Sequence, residues 1–186
     1  MVTIRKYEAK DKENLRKICV ATSGLSTKSE KDLNFLYYMY NDYYAEREPD
    51  ACFVVANDKD EAVGYILGAK DFDAYYETLS KYYLPKIKQL GLKYYIMAVS
   101  EIFVHKRQKK LYPAHLHIDI LPEYQNCGAG SRLVSELKAY LKSCGISGIC
   151  LSVGAANKGA VRFYKKNGFK VIHNSLGSKI MGCNLN

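Results

Sequence analysis

The segment from His115 to Gly145 restricts the fold more than any other. HLHIDIL alternates in the manner of a strand, placing His115, His117 and Asp119 on one face and Leu116, Ile118 and Ile120 on the other. The short loop PEYQNCGAG follows, and SRLVSELKAYLKSC then sets Leu133, Leu137, Tyr140, Leu141 and Cys144 on one helical stripe that Gly145 terminates. Strand, glycine loop and helix in succession permit two readings, a plain tight turn or a cradle for a phosphate. The first turn of a helix presents N–H groups without internal partners, and its aligned dipoles add roughly half a positive charge. A side chain at Gly128 or Gly130 would hold a phosphate away from those groups. The loop is not that of a nucleotide triphosphatase, because Ser131 and Arg132 follow Gly130 where Lys and Ser/Thr are needed. It also lacks the three-glycine dinucleotide fingerprint. On spacing alone, turn and phosphate site both stay open.

The flanking sequence supplies the rest of an α/β fold. TIRKYEA predicts a strand, with Asp11 as cap of a helix carrying Leu15, Ile18 and Cys19. One helix is predicted from about Glu30 to Glu48 on a stripe of Leu33, Leu36, Tyr37, Tyr40 and Tyr44, ended by Pro49. ACFVVAND and EAVGYILGAKD predict a hairpin. Helical, Tyr-rich material interrupted by Pro85 and Gly91 occupies Tyr75 to Val104, and the basic run from His105 to Lys110 is predicted to be a solvated loop. ICLSV predicts a buried strand, Asn157 to Gly168 a short helix, and FKVIHN with SKIMGCNL the last two strands. The order predicts a mixed α/β sheet with helices on its faces, in one domain over 1–186.

Composition narrows function less. The six cysteines have no paired short spacing and are expected to be reduced thiols. The net charge of +9 favours an anionic partner without naming one, and helical spacing assigns most of the 17 tyrosines to packing rather than to stacking on bases, so nucleic acid is not the expected partner. No apolar run approaches the roughly 20 residues of a membrane span, and the charged start MVTIRKYEAKDKENLRK does not suit a secretory leader. The expected compartment is the cytoplasm, with no membrane association.

QNCGAG after a strand, together with NKGAVRFYKKNGF in the pattern N-x-x-A-x-x-F-Y-x-x-x-G-F, resembles the acetyl-CoA-binding core of the GNAT superfamily of N-acetyltransferases. PDACFVVANDKDEAVGYILG and YPAHLHIDILPEYQ are similar, more narrowly, to bacterial acetyltransferases related to the C-terminal acetyltransferase-like domain of O-GlcNAcase. The resemblance implies a mostly antiparallel sheet splayed between its two central strands. It implies acetyl-CoA as cosubstrate, with its pyrophosphate on the backbone of Gln125, Asn126, Cys127, Gly128, Ala129, Gly130 and Ser131. The pantetheine arm would lie beside Ile118, Ile120 and Leu121, near Asn157, Ala160 and Phe163, and the N–H near Ile120 would meet the acetyl carbonyl. Where the family's loop commonly carries a basic residue, this chain has Asn126 and Cys127, so backbone donors are expected to hold the pyrophosphate alone.

The implied reaction is direct attack by a neutral primary amine, of a small molecule or a protein, on the thioester. Tyr164 matches the family's usual general acid, against the plainer reading that it only packs its helix. From the residues themselves, Asp119 is the candidate base, because a carboxylate in mid-strand must meet a cation or a cleft. His117 on the same face could orient it or act as base itself. His115, His117 and Asp119 lack a further ligand at matching spacing, so no metal is expected. Cys127 reads as a small loop residue rather than a nucleophile. Two other functions remain: a non-catalytic acyl-CoA-binding or protein-interaction module of the same fold, and a nucleic-acid binder. The Tyr-rich helices could also pair two copies as a homodimer.

Overall fold

A computed structural model describes residues 2–24, 29–175 and 177–186. The strands are β1 (Thr3–Lys6), β2 (Cys52–Ala56), β3 (Ala62–Ala69), β4 (Ala114–Ile120), β5 (Gly148–Gly154), β6 (Lys170–Ser175) and β7 (Ser178–Asn184). The helices are α1 (Lys12–Thr22), α2 (Glu30–Tyr40), α3 (Asp42–Arg47), α4 (Phe72–Thr78), α5 (Leu84–Leu90), α6 (Leu92–Lys106), α7 (Ala129–Ser143) and α8 (Lys158–Lys166). The sheet has seven strands in the order β1-β2-β3-β4-β5-β7-β6, antiparallel throughout except for the β4–β5 pair. A mixed, mostly antiparallel α/β sheet covered on both faces is therefore what the chain forms.

The alternation of β4 separates two cores. Residues of α1 to α6 pack with Tyr65 and Leu67 of β3 on one face, and α7 with α8 covers Leu116, Ile120, Ile149 and Leu151 on the other. Leu133, Leu137 and Leu141 of α7 are fully buried, as their spacing predicts.

Five local expectations are corrected. The helix predicted from Glu30 to Glu48 is two helices, broken at Asn41, whose φ of −135° and ψ of −64° leave the helical region. The buried stripe of α2 is Phe35, Leu36 and Met39 rather than Leu33 and Tyr37, because Tyr37 faces outward beneath the Arg16 guanidinium, 4.8 Å from its ring. Pro85 does not interrupt its helix: a π-helical turn at Leu79–Tyr83 widens the backbone just ahead of it, and the true break is Gly91 at φ +135°. The predicted basic loop begins inside α6, and His105 is buried there. Asp11 precedes α1 but its side chain does not cap that helix; its carboxylate accepts from the Arg5 guanidinium at 2.7 and 2.9 Å and from the Glu8 N–H, which closes a capping box on the 3₁₀ turn Ala9–Asp11. Among the described residues no helix is long and apolar enough to cross a membrane.

Candidate active site

At the end of β4 the chain passes through a 3₁₀ turn, Pro122–Tyr124, into the loop. Asn126 (φ +61°) and Gly128 (φ +83°) both take left-handed backbone, which turns successive N–H groups to one side before α7 begins. Among the described residues, the N–H groups of residues 126 to 131 find no acceptor, and the first helical bond here runs from the Arg132 N–H to the Gly128 carbonyl at 3.2 Å. A concave run of unpartnered donors at a helix mouth fits an anion. Gly130 has a packing reason as well: a Cβ there would come within 3.1 Å of the Phe163 ring, so its lack of a side chain admits α8 against the helix mouth. Gln125 turns its side-chain amide back to donate to the Ile120 carbonyl at 2.7 Å, tying the loop to the strand.

The β4–β5 ladder pairs only Ala114 with Ile149 and His115 with Cys150. Beyond those positions the parallel strands part. The Leu121 N–H donates to the Val63 carbonyl at 3.0 Å, and antiparallel alternation then turns the backbone groups of Ile118 and Ile120 away from β3, into the gap, where the Ile120 carbonyl is taken by Gln125 and the Ile120 N–H stays open among the described residues. Ladder groups left open in a sheet interior need an outside partner. The gap opens into a cleft of about 750 Å³ that runs from Ile118 and Ile120 past Gln125, Asn126 and Gly128 to Gly130 and Ser131. Asn157, Ala160 and Phe163 form its other wall, and the Asn157 side chain also caps α8 by accepting from the Ala160 N–H at 2.9 Å. Of the expected contacts, Leu121, Cys127 and Ala129 lie outside the lining. The Leu121 N–H is spent on β3, the Cys127 thiol donates to the Tyr124 carbonyl at 3.1 Å, and Ala129 is buried beneath the helix mouth.

Asp119 and Thr22 line this cleft and also a second cavity of about 340 Å³ on the other face of β4. Burial pushes the Asp119 carboxyl up to about 6, opposed by the hydrogen bond from Tyr65, whose hydroxyl donates to Oδ2 at 2.6 Å; the Thr22 hydroxyl donates instead to the Ile18 carbonyl at 2.9 Å. A carboxylate of that basicity, held by a fixed donor and open to two cavities, is suited to take a proton near neutral pH. His117 shares the second cavity, its ring edge-on to Tyr40 and Tyr44, and burial lowers it to about 4, so it stays neutral. His115 faces inward, its Nε2 2.9 Å from the Tyr44 hydroxyl. Among the described residues no group of three or more His, Cys, Asp and Glu gathers as a metal site would require.

Tyr164 on α8 packs against Phe163 and Phe169, and its side chain lines the cleft opposite β4. Burial, with the Asp119 charge nearby, raises its phenol well above the ordinary range, so it carries a proton at any working pH. Its hydroxyl donates to no acceptor among the described residues.

Four residues at the site carry no expectation from sequence. Tyr65 sits in a strand that is apolar and buried throughout, and Thr22 at the end of α1. Arg162 and Lys166 line the cleft, one helical turn apart on α8, and supply the positive charge that the loop itself lacks. Their i, i+4 spacing is a signal the sequence did offer.

Residues 19–169 match the sequence model of the acetyltransferase (GNAT) family. The crystal structure of SsHAT superposes with a TM-score of 0.86 at 27% identity, covering 100% of this chain and 98% of that one. The PaiA N-acetyltransferase from Thermoplasma acidophilum in complex with coenzyme A superposes at 0.60 with 19% identity, covering 99% of each chain. The ribosomal-protein-S18-alanine N-acetyltransferase from Escherichia coli gives 0.58 at 16% identity, covering 100% of this chain and 95% of that one. The last two likenesses concern the fold alone.

Proposed function

The chain belongs to the acetyltransferase (GNAT) family, and from that premise we propose that it transfers the acetyl group of acetyl-CoA directly to a primary amine. The observation that carries the proposal is the parting of β4 from β5 beside a helix mouth whose N–H groups are unpartnered, with Asp119 at the junction of two cavities. Acetyl-CoA supplies the activated acyl group as a thioester. The N–H groups of residues 126 to 131, with Arg162 and Lys166, hold its phosphates, and the open edge of Ile118 and Ile120 holds its amide-bearing arm. The Ile120 N–H stands ready for the carbonyl oxygen, a kind of donor typically worth ~3 kcal/mol in the transition state.

Asp119 takes the proton of the attacking amine from the side of the smaller cavity, and Tyr65 keeps its carboxylate oriented. As the N–C bond forms and the C–S bond breaks, Tyr164 gives its proton to the sulfur, and solvent restores it. The products are the N-acetyl amine and free CoA thiol. His117, held neutral and less basic than Asp119, shapes the acceptor cavity in this reading. The narrower likeness to bacterial acetyltransferases related to the O-GlcNAcase C-terminal domain is part of the same proposal, resting on residues 49–68 and 112–125. Calorimetry with acetyl-CoA and thiol release across an amine panel test the proposal. Micromolar binding with amine-dependent release is expected; binding without release for any amine would instead identify an acyl-CoA-binding module.

A further inference from the structure

We infer that the cavity of about 340 Å³ beside Asp119 takes a primary amine carried on a flat, uncharged apolar body of about one ring, joined to the nitrogen by a short tether. The inference rests on the acetyl-transfer reading above, since it assigns the acceptor of that reaction.

Size sets the first limit. An apolar cavity of ~150 Å³ holds one benzene molecule, so the interior of this one seats a ring and a few tether atoms, and the further rings of an aminosugar would stand outside it. The walls set the second. Phe35 lies 5.3 Å from Tyr94 and 6.0 Å edge-on from Tyr40, and these mutually packed rings with Leu36 and Met97 give the cavity an aromatic wall on which a flat guest can pack. Electrostatics set the third. Among the described residues, the charged side chains lining the cavity besides Asp119 are Asp32 and Lys93. Asp32 is already committed, accepting from the Ser29 N–H at 2.9 Å, the Ser29 hydroxyl at 2.7 Å and the Tyr94 hydroxyl at 2.8 Å. The Lys93 charge acts on Asp32 from nearby and repels a further cation, so the cavity offers a second ammonium no uncommitted carboxylate among the described residues. A net charge of +9 disfavours polycations further.

A peptide fits no better. Among the described residues, the walls other than β4 come from α1 with its C-terminal Ser23, α2 and α6, whose backbone groups are used within the helices, so an extended chain would meet no ladder there to pair with. An amine seated here directs its nitrogen at Asp119, the carboxylate shared with the acetyl-CoA cleft.

The test compares 2-phenylethylamine with spermidine, kanamycin and a lysine-containing peptide by thiol release at saturating acetyl-CoA. The expected kcat/KM for the ring amine is at least ~100-fold above the others, well beyond the spread that one methylene produces. Met97 is 44% exposed, so Met97→Trp fills the cavity from its rim without entering the core. It should raise the KM for 2-phenylethylamine at least ~10-fold and leave the KM for acetyl-CoA unchanged. Calorimetry of 2-phenylethylamine with CoA-saturated protein reads the cavity without turnover, and binding that Met97→Trp weakens is expected. Preference for spermidine or the peptide, no binding of the ring amine, or indifference to Met97→Trp would each overturn the inference while leaving acetyl transfer intact. Ring-amine binding to a protein that fails to bind acetyl-CoA would instead strike the transfer reading.

Discussion

Replacing Tyr65 with Phe removes a single hydroxyl from the fully buried floor of the site and leaves the ring in place. That hydroxyl donates to Asp119 at 2.6 Å and opposes the burial that raises the carboxyl, the balance of the two standing at about 6. A hydrogen bond to a charged group is worth ~1.5 to 3 kcal/mol, and its lower end is about one pKa unit. Asp119 in the variant should therefore titrate near ~7. At pH 6 the ionised fraction would fall from about one half to about one tenth, a roughly five-fold loss of rate, while at pH 8.5 the loss should nearly vanish. The assay is kcat/KM for the amine across pH 5.5 to 9 in both proteins, taken as a variant-to-parent ratio so that the amine's own titration cancels. A ratio that is flat with pH, whether near one or uniformly low, would refute the assignment of Asp119 as a base tuned by Tyr65.

Three further outcomes follow from the same geometry. The Asp119 carboxyl is raised from 3.8 to about 6, so its ionisation costs stability that is absent below pH 4 and fully developed above pH 6, up to ~3 kcal/mol. Asp119→Asn should thus lose turnover yet resist urea better than the parent at pH 8, with the gain gone at pH 4. Tyr164→Phe keeps the packing on Phe163 and Phe169 and removes the proton donor; thiol release should fall ~100-fold at an unchanged acetyl-CoA Kd, and unchanged turnover would reduce Tyr164 to a packing residue. Gly128→Ala meets no atom within 4 Å but must hold φ near +83°, which costs ~1 to 2 kcal/mol, so acetyl-CoA should bind about ten-fold more weakly with helix content preserved by circular dichroism.

What could be read in the sequence was what local periodicity encodes. Leu133, Leu137 and Leu141 announce α7, and the alternation of β4 correctly sends Asp119 and Ile120 to opposite faces. The lapses arise where tertiary contacts override the local pattern. Asn41 breaks a helix that its neighbours would continue, and the π turn before Pro85 depends on backbone widening that residue spacing does not reveal. At the site, Asp119 was visible because a carboxylate in mid-strand is costly, whereas Tyr65 was hidden in a strand with no polar alternation. The packing role of Gly130 is not legible in the sequence, because its partner, the Phe163 ring, lies on a helix that only the folded sheet brings close.

Amide hydrogen exchange with and without acetyl-CoA tests the central claim most directly, because the unpartnered donors themselves report. The account predicts that acetyl-CoA slows exchange at residues 126 to 131 and at Ile118 and Ile120, leaving the Leu121 amide, already bonded to Val63, unaffected. Acetyl-CoA binding that leaves the amides of residues 126 to 131 exchanging freely would contradict it.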